Sequence, residues 1–153
     1  MLFRSPSTLR IINELKQASI PVTMLTGDSI EAAITTCKTA GIITNVKVAI
    51  LDVKGKNLVW KIQNEGSVQT MDATTSTWSE ILSLSSRNLC SLATTGAVIE
   101  YLESKNKESV FHFSIKSNLS KFSIIARASP KQKAYTISTM KNDGGKTVLM
   151  CGK

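Results

Sequence analysis

The chain has 153 residues, of which 42% are hydrophobic and 20% charged, with a formal net charge of +8. That is enough for one domain with a buried core, too little for two ordinary ones, and too apolar for disorder throughout. No apolar run approaches the roughly 18 residues of a membrane span, and residues 1–10 have no secretory-signal pattern.

Three cysteines, Cys37, Cys90 and Cys151, are too few and too scattered for a disulfide scaffold or a zinc cluster. They read as reduced, mostly buried thiols of a cytosolic protein. The charge is unevenly placed. Residues 1–104 carry nine Lys/Arg and nine Asp/Glu, whereas residues 105–153 carry ten Lys/Arg against Glu108 and Asp143. A basic surface of that kind attracts nucleic acid, acidic lipid or phosphate ligands alike, or simply keeps the chain soluble.

Ser5 and Pro6 open a predicted helix whose apolar face is Leu9, Ile12 and Leu15, stopped by Pro21. Residues 22–25 form a short apolar strand, and Thr26, Gly27 and Asp28 a tight loop. A second helix spans residues 29–40, with Ile30, Ala33, Ile34 and Cys37 on one face and Gly41 as its stop. Val46, Val48 and Ile50 alternate, residues 54–57 turn, and Leu58, Trp60 and Ile62 alternate again, which predicts a β-hairpin. Residues 66–77, rich in Ser and Thr, read as a surface loop. A short helix over 78–84, a weak strand over 89–92, a helix over 97–103 and a polar connection at 106–108 follow.

The last third returns to α/β alternation. Residues 122–126 form a buried strand. Ser129 and Pro130 open a helix with Ala134, Ile137 and Met140 on one face. Residues 142–145 turn, and residues 147–151 form a final strand. The pattern predicts an α/β fold with a Rossmann-like parallel sheet, flanking helices and a β-hairpin insertion at about 44–86. The chain stops just after that last strand, so an incomplete domain is expected.

Two loops share one grammar: a buried strand ends, small or polar residues turn the chain, and a helix begins. Ligands of α/β sheets collect there. In the first loop, the Thr26 hydroxyl and the N–H groups of the following helix can hold a phosphate oxygen, or Asp28 or Ser29 can simply cap the helix. In the second, Arg127 to Lys133, two lysines (Lys131 and Lys133) sit on a first helical turn, where the helix dipole disfavours them. An anionic partner would relieve that conflict, and solvation would mask it. His112 has no nearby Cys, Asp or second His, which reads as structural. Trp60 and Trp78 read as packing residues, since aromatics are only 5% of the chain.

In order and rough spacing, three motifs resemble the phosphorylation domain of P-type ATPases, a haloacid-dehalogenase-like domain. They are Met24-Leu25-Thr26-Gly27-Asp28, Arg127-Ala128-Ser129-Pro130-Lys131-Gln132-Lys133 and Val148-Leu149-Met150-Cys151-Gly152. The Pro-Lys-Gln-Lys form, the Leu-Met-Cys-Gly ending, the stretch from Trp60 to Ser67 and Asn88 to Leu92 with Gly96 and Leu102 beyond resemble type V pumps of subgroup A. The intact family member sits in the endoplasmic reticulum membrane of eukaryotes, with this domain on its cytosolic face.

The resemblance implies roles. Thr26 and Gly27 bind the phosphoryl oxygens, and Lys133 offsets charge on that group and on the nucleophilic aspartate. Asp28 and Arg127 border the nucleotide, while Lys131 is off the matched position and reads as surface. ATP and Mg2+ serve the intact protein, whose product would be ATP-driven movement of membrane cargo: transmembrane segments, with effects on cation balance. The partners implied are the nucleotide-binding, actuator and transmembrane parts of the same polypeptide.

The sequence contains no Asp-Lys-Thr-Gly-Thr nucleophile motif and no Asp-Gly-x-Asn-Asp motif. Phosphoryl transfer needs an acceptor and its metal. The isolated chain is therefore expected to have no ATPase activity and no stably bound ATP or Mg2+. Without the nucleophile strand it is also expected to dimerise, swap strands or leave a sheet edge open. The alternatives are a stand-alone phosphatase of the same superfamily, which lacks its Asp-x-Asp strand here, and a basic nucleic-acid-binding domain, for which no motif is present.

Overall fold

The computed structural model describes residues 6–104, 110–142 and 147–150. Its centre is one six-stranded sheet in the order β1-β6-β5-β2-β3-β4. The strands are β1 (Met24–Leu25), β2 (Lys47–Lys54), β3 (Asn57–Asn64), β4 (Ser67–Asp72), β5 (Ser91–Thr95) and β6 (Ile124–Ala126). The pairs β1·β6, β6·β5 and β5·β2 are parallel, and β2·β3 and β3·β4 are antiparallel. The helices are α1 (Pro6–Gln17), α2 (Ile30–Ala40), α3 (Thr75–Ser86), α4 (Gly96–Ser104), α5 (Val110–Ser117) and α6 (Pro130–Asn142). This is a Rossmann-like α/β fold with an antiparallel extension at one side.

Two cores flank the sheet. On one face, Val48, Ile50, Ala93, Ile124 and Ala126 meet Ile12 of α1 and Ala33, Ile34 and Cys37 of α2. On the other, Leu51, Trp60, Leu92 and Ile125 meet Trp78 and Ile81 of α3, Val98 and Ile99 of α4, Ile115 of α5 and Met140 of α6. Both faces of β2 are therefore covered, which is why Val48, Ala49, Ile50 and Leu51 are buried in succession. Val48, Ile50 and Leu51 each contribute about 1.5–3 kcal/mol when fully buried. Trp78 stacks between Trp60, at 6.1 Å, and Phe122, at 6.2 Å. Its Nε1 donates to Ser114 Oγ at 3.0 Å, so one large ring ties α3 to both β3 and α5.

Local chemistry sets the helix ends. Ser29 caps α2 by accepting from the Ala32 N–H, and Gly41, at φ 80, closes it in the left-handed conformation. Helix α1 ends four residues before Pro21. Ser19 adopts φ 60 and the Ile20 N–H returns to the Leu15 carbonyl, so a backbone cap stops the helix before the proline is reached. Of its expected apolar face, Ile12 is buried and Leu9 is exposed. Ser5 lies outside the described residues.

Three expectations are corrected. Residues 66–77 are not a loop: Ser67–Asp72 pairs along β3 after a turn at Glu65 and Gly66, and Thr74 with Thr77 forms a capping box that starts α3. The strand stayed hidden because it is an edge whose side chains are mostly exposed, so no apolar alternation marks it. The expected strand over 147–151 does not form in its described part. Among the described residues no strand pairs with residues 147–150, and Leu149 is 89% exposed. A strand needs a neighbour to accept its hydrogen bonds, and the described residues supply none here. Cys151 lies outside the described residues.

Finally, α6 does not bury Ala134 and Ile137. It buries Thr136, Thr139 and Met140, because Thr136 Oγ1 donates to the Gln132 carbonyl and can face the core without an unpaired hydroxyl. Helix α5 was not foreseen, and the connection at 106–108 lies outside the described residues.

Candidate functional site

Strands β1 and β6 are adjacent and parallel, with Leu25 opposite Ile125. Their carboxyl ends therefore release the two candidate loops side by side. Two backbone hydrogen bonds join them: the Arg127 N–H donates to the Asp28 carbonyl and the Ala128 N–H to the Thr26 carbonyl, both at 2.9 Å. The Thr26 N–H donates back to the Ile125 carbonyl at 3.0 Å. Thr26, Gly27, Asp28 and Arg127, which are 99 or more residues apart across the two loops, are thus one structural unit.

Within the first loop, the Asp28 N–H donates to Thr26 Oγ1 at 3.1 Å. The oxygen is used as an acceptor and its proton stays available to a ligand. Ser29, not Asp28, is the helix cap, so the Asp28 carboxylate is left exposed at the loop tip. Among the described residues no hydrogen bond occupies the Gly27 N–H. A hydroxyl donor, an open backbone N–H and the start of α2 together suit an anionic oxygen.

The second loop is more constrained. Arg127 has φ 50, a left-handed conformation that costs a non-glycine residue about 1–2 kcal/mol. Its side chain is exposed. Ser129 and Gln132 form a reciprocal capping box: the Ser129 N–H donates to Gln132 Oε1 at 2.9 Å and the Gln132 N–H to Ser129 Oγ at 3.2 Å. Lys133 is half-buried on the first turn of α6 and Lys131 is exposed on the same turn. Neither is in an ion pair among the described residues.

A third loop reaches the same sheet end, where β5 runs into α4 at Gly96, and Gly96 lies against Arg127 and Gln132. Sequence reasoning did not single out Gly96 or Gln132 as part of a site. Ser-x-x-Gln at the start of a helix is a capping-box pattern and was the available signal for Gln132. Nothing local signals the contacts of Gly96, which join it to residues 31 and 36 positions away.

The other candidates are spread through the fold. His112 packs on α5 with its ring 5.4 Å from Tyr101, edge on. Trp60 and Trp78 are buried, so neither ring is open to a base. Burial pushes the Cys37 thiol up to about 12, with its Sγ 3.5 Å from Met24 Sδ. Burial also raises the Cys90 thiol, and Lys47 partly opposes it. No group of three or more His, Cys, Asp or Glu among the described residues is placed to hold a metal ion. Without such a group, the described residues do not form a Mg2+ site by themselves. A cleft of about 310 Å³ between α3 and the β2–β4 face, lined by Ala49, Ile62, Ile81 and Cys90 among others, lies away from both loops. No described helix is long and apolar enough to cross a membrane.

The fold and the paired loops define a Rossmann-like α/β protein with its candidate chemistry at the carboxyl ends of parallel strands. In comparisons with models of known families and with curated proteins, the chain matches none.

Proposed function

We propose that the chain is part of the phosphorylation domain of a type V, subgroup A P-type ATPase. Such a pump couples ATP hydrolysis, through an aspartyl phosphate, to the movement of cargo across the endoplasmic reticulum membrane. The observation that carries this reading is the backbone-bonded pair of loops, Thr26 to Asp28 and Arg127 to Lys133, at the ends of β1 and β6. Phosphoryl transfer depends mainly on positioning and on neutralising the phosphoryl oxygens, and this arrangement supports both tasks.

In this reading Thr26 donates its hydroxyl proton to a phosphoryl oxygen while Oγ1 stays anchored by the Asp28 N–H. The Gly27 N–H points a second donor at the same group. Lys133 supplies the compensating positive charge from the first turn of α6. Asp28 and Arg127 border the nucleotide. The acceptor aspartate and the magnesium ligands come from the rest of the polypeptide.

The transcript on both sides of the chain tests the proposal. Asp-Lys-Thr-Gly-Thr upstream and Asp-Gly-x-Asn-Asp downstream are expected, and their absence from a complete reading frame would overturn it. In the intact pump, Lys133→Ala is expected to lower aspartyl-phosphate formation about 10²-fold or more, the usual size of losing one preorganised charge or donor. An unchanged phosphoenzyme level would remove Lys133 from the mechanism.

A further inference from the structure

We infer that Gly96, the first residue of α4, is a positioning residue for the paired loops; this deepens the phosphoryl reading above and rests on it. Gly96 is buried where β5 turns into α4. A Cβ built there would lie 3.1 Å from the Arg127 carbonyl carbon and would overlap both the Arg127 carbonyl oxygen and Gln132 Oε1.

Both obstacles are parts of the loop geometry. The Arg127 carbonyl belongs to the peptide group whose N–H, on Ala128, donates to the Thr26 carbonyl. A trans peptide is rigid, so its carbonyl and N–H move together. Pressure on the carbonyl is therefore pressure on the bond that holds Thr26. Gln132 Oε1 is fixed by accepting the Ser129 N–H, so it cannot swing aside without opening the capping box. On the other side, β5 is pinned. Thr94 Oγ1 donates to the Leu51 carbonyl at 3.0 Å, and Thr95 Oγ1 donates to Asp52 Oδ1 at 3.2 Å. The start of α4 has no easy retreat, and the displacement falls on the loop that carries Arg127 and, through it, on Thr26 and Gly27.

Amide hydrogen exchange on the chain and its Gly96→Ala variant tests this. The Arg127 and Ala128 amides are expected to lose protection by about tenfold or more, as a local opening does. The Met24 and Ser123 amides, bonded to Ser123 and Leu92 in the sheet, are expected to keep theirs. Unchanged exchange at Arg127 and Ala128 would overturn the inference. Equal loss at all four amides, or an unfolded variant, would overturn it too, because Gly96 would then serve general packing. Gln132→Ala separates the two obstacles. Alone it should free the Ser129 amide only. Combined with Gly96→Ala it should leave Ala128 unprotected, and restored protection there would show that the cap, not the carbonyl, is what Gly96 accommodates. In the intact pump, Gly96→Ala should slow phosphoenzyme formation about 10- to 100-fold, the range of a small misplacement. A pump insensitive to both Gly96→Ala and Lys133→Ala, with the exchange result standing, would remove the phosphoryl reading and not the loop geometry.

Discussion

Thr26 has two duties that pull on different atoms. Its Oγ1 accepts from the Asp28 N–H, and its backbone exchanges bonds with Ile125 and Ala128. Thr26→Ser keeps the hydroxyl and is expected to keep the loop. Thr26→Ala is expected to cost about 1 kcal/mol, the net worth of one hydrogen bond, in urea titration. Arg127 presents the opposite case. At φ 50 it occupies a region that suits glycine, so Arg127→Gly is expected to stabilise the folded chain by about 1 kcal/mol while removing the exposed cation. A lower urea midpoint for that variant would mean that the side chain, not the backbone, dominates at this position.

Cys37 gives a pH dependence with a definite sign. Its thiol stays protonated up to about 12 in the folded chain, against 9.0 for an ordinary thiol. As pH rises through that window the unfolded chain loses its proton first, so the unfolded state binds fewer protons and stability falls. Below the window both states hold the neutral thiol and no slope arises from it. Denaturant midpoints across this alkaline range should fall in the parent chain and fall less in Cys37→Ala. A Cys37→Ala profile as steep as the parent's would assign the slope elsewhere.

At the scale of elements, capping decides where helices begin. Thr74 and Thr77 bond reciprocally before α3, with the Thr74 N–H donating to Thr77 Oγ1 at 2.8 Å. Thr74→Ala is expected to cost about 1 kcal/mol, seen as an earlier thermal transition. Helix α3 in turn places Trp78 in the core, 3% exposed, between Trp60 and Phe122. Trp78→Ala is expected to cost about 3–5 kcal/mol, enough to unfold a marginal domain. Recovery of the parent's midpoint would mean that α3 docks without its ring.

Legibility also differs by element. Helix α2 carried every sign a sequence can hold: a serine cap, an apolar stripe and a terminal glycine. Strand β4 carried none, since an edge strand is defined by backbone pairing and its side chains face water. Helix α6 misled because Thr136 looks solvent-facing, yet its bond to the Gln132 carbonyl lets it turn inward.

For the whole molecule, the +8 charge sits in residues 105–153, which include the loop from Arg127 to Lys133. The phosphoryl reading uses that charge locally. A nucleic-acid reading uses it as an extended surface and requires affinity that falls steeply with salt. Filter binding over a salt series should give a shallow slope, and a steep one would favour the second reading. The isolated chain is expected to release no phosphate from ATP, because no acceptor motif is present in it. Release above blank would contradict that directly.

The sequence by itself determined the α/β grammar, the central hairpin, both loops and the residue types in them, because each depends on neighbours a few positions away. Only the tertiary structure decided that the two loops are bonded to each other, that Ser29 rather than Asp28 caps α2, and that Gly96 fills the space beside Arg127. Those facts depend on which strands lie side by side. That order is fixed by burying two faces of one sheet at once, a condition that no local stretch of the chain expresses.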